Sequence, residues 1–212
     1  MLQVADQVCG AGGKLVAAQE YLKPEPLATL SQDFIRYESE AMALSSYEPL
    51  LIPGLLQTEE TARALPKAHW PPLDDETVEE RVSARLKRQD LLGRQTRSFS
   101  FVIGEAALRN KVGGPEAHTR PLRHLLTVAE QRNVTVQVLP TVGAHSGLNG
   151  PLVLLETPEH EHLGYEEGQT TGVLYSDADR VSIAMQRNAM ILRQALGLTE
   201  SARFIGKMAE EQ

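Results

Sequence analysis

The chain has 212 residues, 42% of them hydrophobic and 23% charged, with a formal net charge of −7. That length supports a sizeable core in one large domain or two small ones, and no apolar run of about 18 residues is available for a helical membrane span. The acidic total argues against unaided DNA binding, and a single cysteine, Cys9, excludes an intrachain disulfide and a cysteine-based metal site.

The opening, "MLQVADQVCGAGG", lacks the basic start and apolar centre of a secretory signal, so a cytoplasmic location is expected. Val4 and Val8 share a helical face before "CGAGG" breaks the pattern. "KLVAAQEYL" favours helix, and "KPEPLATLS" reads as a connection. From Ser31 to Glu48 the spacing predicts a helix, with Ser31 as its cap and Phe34, Ile35, Ala41, Met42 and Leu44 as its apolar positions.

A dense apolar stretch follows, "SYEPLLIPGLLQT" from Ser46 to Thr58. Pro49 and Pro53 push their preceding residues out of helix, and Gly54 permits a tight bend. Helical spacing returns with Leu55, Leu56, Ala62 and Leu65. The three prolines of "PKAHWPPLD" (66–74) predict a loop. Asp74 or Asp75 caps the next helix, "DETVEERVSARLKRQDLLG", whose acidic start and basic end suit the helix dipole and which Gly93 ends.

The periodicity then changes. Phe99, Phe101 and Ile103 alternate, as do Val134, Val136 and Val138, and both runs predict strands. "PLVLLE" (151–156) predicts a strand covered on both faces, with weaker strands near 162–168 and 172–176. Between the first two strands lies a helix with Pro121 in its first turn. A long helix capped by Ser176 or Asp177 and stopped by Gly197 comes next, then a final helix capped by Thr199. The expected class is α+β: a helical N-terminal half, a small mixed or antiparallel β-sheet in the centre, and C-terminal helices.

Few stretches suggest chemistry. "AHSGLNG" (144–150) places His145 beside Ser146, but sequence neighbours are not a catalytic pair, and no nucleophile elbow is present. A turn accounts for its glycines. "NKVGGPEAH" (110–118) lacks the pattern of a phosphate-binding loop. The "HEH" at 160–162 lacks metal-site spacing and reads as an exposed turn. Glu105 and Arg109 stand four apart after the first strand, where a sheet neighbour could bring Tyr165, Glu166 or Glu167 to them. Arg81, Arg85 and Arg88 form a stripe that reads as a solvated face paired with "DDETVEE".

Taken together, "YEPLLIPGLLQTEETARA", "ERVSARLKRQDLL", "EAALRNKVGG", "LRHLLTVAEQRNVTVQVLP" and "GAHSGLNGPLVLLE" resemble one family. It is the domain of unknown function found C-terminal to an Xre-type helix-turn-helix in many actinobacterial regulators, the Scr1-like antitoxin-type transcriptional regulators. The resemblance runs from about Ser31 to the C-terminus. It implies residues 1–30 as a remnant helix and linker after a missing DNA-binding head, and 31–212 as a sensor or partner-binding domain. The partner implied is a small-molecule effector or a small protein, with DNA reached only through the missing domain, no membrane, no cofactor and a homodimer. Two alternatives stand beside this reading: a stand-alone enzyme of a biosynthetic cluster, and a structural dimerisation module. The candidate binding residues are Tyr47, Gln57, Glu105, Arg109, His145 and Tyr165, expected around one concavity because they flank the apolar stretch or the strand ends.

Overall fold

The computed structural model describes residues 6, 8–14, 27–114, 118–141, 143–169 and 171–211. The helices expected over residues 1–22 lie mostly outside them. Among the described residues are seven α-helices and one six-stranded sheet, an α+β fold with helices at both ends. None of these helices is long and apolar enough to cross a membrane.

Helix α1 (Leu27–Glu40) is followed by strand β1 (Ala43–Glu48). Helices α2 (Glu59–Lys67) and α3 (Asp75–Arg88) lead to β2 (Ser98–Gly104). A short α4 (Glu105–Arg109) and α5 (Thr119–Val128) lead to β3 (Val134–Leu139). Strands β4 (Leu152–Glu156), β5 (His162–Glu167) and β6 (Gly172–Tyr175) follow, then α6 (Ala178–Gln194) and α7 (Leu198–Glu210).

The sheet order is β3-β2-β1-β4-β5-β6. β1, β2 and β3 run parallel, and β4, β5 and β6 pair antiparallel. The chain builds β2 and β3 on one side of β1, then crosses to place β4 on the other. The carboxyl end of β1 is therefore the switch point of the sheet, where open sheets of this kind leave a crevice.

β1 corrects the helix expected from Ser31 to Glu48. The helix ends at Glu40, and the Ala41 amide makes its last turn to Tyr37. Met42 then donates to Glu156, which starts the sheet. Position overrides propensity here: flanked by β2 and β4, Leu44 packs on one face and Tyr47 on the other.

The first face of the sheet carries the main core. Phe99, Phe101 and Ile103 of β2 and Val134, Val136 and Val138 of β3 pack there, as their alternation requires. Leu55 and Leu56 of the apolar stretch, Leu122 and Leu125 of α5, and Ile205 and Met208 of α7 cover them. The other face is covered by α6, through Val181, Ala184, Asn188 and Ile191. Leu155 faces the first layer and Leu152 the second, so β4 is covered on both sides, as expected.

Local signals mostly hold. Asp74 accepts from the Thr77 amide and Asp177 from the Arg180 amide, so each caps its helix. Pro121 lies in the first turn of α5. Three details differ. Pro66 is inside α2, near its end rather than in the following loop. Gln89–Gly93 extend α3 as a 3-10 turn. Thr199 is not the final cap, because Gly197 takes that place and its amide donates to Glu200. The α6–α7 junction also seals the edge of β3: Leu196 donates to the Val138 carbonyl, and Ser201 Oγ accepts from the Val138 amide at 3.0 Å.

Candidate functional site

Strand β1 ends at Glu48 because Pro49 offers no amide to the ladder. The apolar stretch then folds back over the main core as a loop and a 3-10 turn, Gly54–Leu56. Leu55 and Leu56 are buried, and so is Gln57. Gln57 Nε2 donates to the Ile52 carbonyl at 2.6 Å, which ties the loop to itself. Its Oε1 accepts from Arg85 Nη1 at 3.1 Å, and its carbonyl accepts from Gln89 Nε2 at 2.6 Å. The backbone approaches closely here: a Cβ on Gly104, at the end of β2, would lie 2.7 Å from the Pro49 carbonyl oxygen.

This turn roofs a cluster of ionisable groups. Arg85 and Arg88 come from α3, Glu38 from α1, Glu48 from β1, and Tyr165 and Glu167 from β5. Arg88 holds the buried Glu38 carboxylate by two hydrogen bonds of 2.7 Å. Arg85 and Glu48 have no such match. Among the described residues Arg85 donates only to the neutral Gln57, and Glu48 takes part in no ion pair. Desolvation lowers the Arg85 guanidinium below its usual range. Burial, and next the Glu167 carboxylate, push the Glu48 carboxyl up to about 8, against the weaker pull of Arg85. Desolvation therefore outweighs attraction at both groups. Tyr165 stacks on Phe34 with centroids 4.0 Å apart, and burial pushes its hydroxyl up to about 12.

A cleft of about 300 Å³ opens at the same end of the sheet, on the α6 side. Its polar wall includes Ser146, Asn149, Glu166, Glu167, Thr171 and Arg187, over an apolar floor of Leu152 and Ile191. Arg187 stands 3.9 Å from Glu166. Glu167 belongs to both the cleft wall and the ionisable cluster. A larger depression, about 440 Å³, lies between Glu59, Arg63, Lys67 and Gly113. It is a gap between solvated ion pairs such as Arg63–Glu59, at 2.9 Å.

The six sequence candidates share this end of the sheet, and none is in the wall of either depression. Tyr47 is buried on the α6 face, beneath Gly147, where an added Cβ would come within 2.6 Å of the ring. His145 sits beside it, its Nδ1 accepting from the Gly147 amide at 3.1 Å. Gln57 and Tyr165 are on the opposite face. Glu105 accepts from Arg109 at 2.7 Å and from the Thr141 amide at 3.0 Å, and these bonds hold its carboxyl below the usual range. The sheet keeps that pair from Tyr165, Glu166 and Glu167, because β1 and β4 stand between β2 and β5.

Sequence reasoning passed over Glu48, Arg85 and Glu167 as a unit. Two signals marked it. Glu48 is the one charge inside an apolar stretch, and Arg85 falls on the same helical stripe as the buried Val78 and Val82. The expected solvated stripe is thus corrected: Arg81 is exposed, whereas Arg85 and Arg88 turn inward to Gln57 and Glu38.

Residues 31–207 match a family described as "Domain of unknown function (DUF5753)". No curated protein and no solved structure matches the chain.

Proposed function

This chain belongs to the DUF5753 family, and we propose that it is the sensory domain of a cytoplasmic Xre-type, Scr1-like actinobacterial transcriptional regulator. It reads a small polar effector at the carboxyl end of its sheet, and DNA is left to a separate helix-turn-helix module. The sequence motifs support the regulator class by resemblance. The observation that carries the sensing role is Glu167, which stands in the cleft wall and also raises the half-buried Glu48 carboxyl.

In this reading an effector in the cleft engages Glu167 and Arg187. Neutralising Glu167 removes repulsion from Glu48, eases its ionisation and draws it toward Arg85. Arg85 is held by Gln57, so the change reaches the apolar turn. Perturbed ionisable groups beside a cleft are the usual mark of a working site. The raised Glu48 also suits an enzyme's general acid. That second reading fits less well, since the cleft reaches Glu167 and not Glu48.

A thermal-shift screen of small amines, amino acids and organic acids tests the reading. At least one should raise the melting temperature of the wild type, and the rise should vanish in both Glu167→Gln and Arg187→Ala. A shift that survives both changes would place the effector elsewhere.

A further inference from the structure

The charged side chains of the cleft wall are Glu166, Glu167 and Arg187, and none is fully engaged by the protein. Arg187 reaches Glu166 only at 3.9 Å, and the two side chains keep 44% and 43% of their surface. A pair that long and that solvated is worth little to the fold. Glu166 is nonetheless fixed in place. The Tyr175 hydroxyl donates to its Oε1 at 3.0 Å, and the Tyr175 ring lies over Gly164 with the Arg180 guanidinium 4.1 Å from its centroid. Oε2 of Glu166 is left without a hydrogen bond among the described residues. Glu167, next along β5, has neither a hydrogen bond nor an ion pair among them.

These charges dictate their complement. Two carboxylates and one guanidinium are matched group by group by a ligand with two cations and one anion. Successive residues of a strand point to opposite faces, so Glu166 and Glu167 stand apart and one ammonium cannot serve both. Glu166 and Arg187 are close neighbours, and they match an ammonium and a carboxylate borne on one carbon. Leu152 and Ile191 supply an apolar floor, on which a methylene stem lies while its charged ends stay in the polar wall. A cleft of about 300 Å³ suits a molecule of that size. Within a peptide at least one of the two head groups is consumed in an amide, so the match is a free amino acid.

We propose that the effector is a free basic α-amino acid of the lysine or ornithine type, with its α-ammonium at Glu166, its α-carboxylate at Arg187 and its side-chain cation at Glu167. This rests on the cleft being the sensory site and adds the chemistry of what is sensed there.

Calorimetric titration of the full chain tests it. Lysine should bind. Norleucine lacks the side-chain cation, cadaverine the carboxylate and 6-aminohexanoate the α-ammonium, and each should bind about tenfold more weakly than lysine. Each gap should close in one variant: norleucine against lysine in Glu167→Gln, cadaverine against lysine in Arg187→Ala, and 6-aminohexanoate against lysine in Glu166→Gln. If any of the three analogues binds as tightly as lysine, and Glu167→Gln or Arg187→Ala abolishes that binding, the ligand class is overturned while the cleft stands as the sensory site. Failure of both lysine and ornithine to bind overturns the class as well. Lysine binding that all three variants leave unchanged overturns both.

Discussion

At the scale of single residues, two arginines three positions apart on α3 do opposite things. Arg88 neutralises a Glu38 carboxylate that is only 4% exposed. Arg88→Met leaves that charge buried and alone, and should cost about 3 kcal/mol or more. Arg85 spends its charge on a neutral amide. Arg85→Met removes a desolvated cation and one hydrogen bond, and the two losses offset to within about 1 kcal/mol. Urea denaturation of the two variants checks the contrast; equal costs would mean that Arg85 is an ordinary structural cation. Glu48 makes a second prediction. Its folded carboxyl holds a proton up to about pH 8, while an unfolded one releases it near 4.5. Between those values the native state binds more protons, so this group's contribution to stability falls as pH rises and levels off above about 8. Glu48→Gln should flatten the stability profile across that window. An unchanged profile would remove Glu48 as its source.

At the scale of elements, the turn 144–150 is shaped by the ring beneath it. Gly147→Ala would drive a Cβ into Tyr47, and this should destabilise the fold by about 1–3 kcal/mol in thermal unfolding. No change would show that the loop lifts freely from the sheet. β2 and β3 were legible because β-branched and aromatic residues alternate there. β1 was not. Its ALSSYE carries no such bias, follows a helical run, and becomes a strand because two neighbours pair with it. The site was legible as a region: the apolar stretch and the strand ends do meet. Its membership was not, because strand order decides which side chains share a face. Tyr47 and Tyr165 lie on opposite faces, and only the β1–β4–β5 pairing brings Glu48 near Glu167.

At the scale of the molecule, a net charge of −7 disfavours unaided binding to nucleic acid. This chain alone should form no sequence-specific complex in a mobility-shift assay at physiological salt with the promoter of its own gene. A specific nanomolar complex would require a DNA-reading surface on this domain. Sensing, in this account, is the electrostatic link across the sheet end from Glu167 to Glu48. Carbon-detected NMR titration of the Glu48 carboxyl reads that link directly. The wild type should titrate near pH 8, and Glu167→Gln should move the midpoint down. A wild-type midpoint near 4.5, or one that Glu167→Gln leaves in place, would contradict the account.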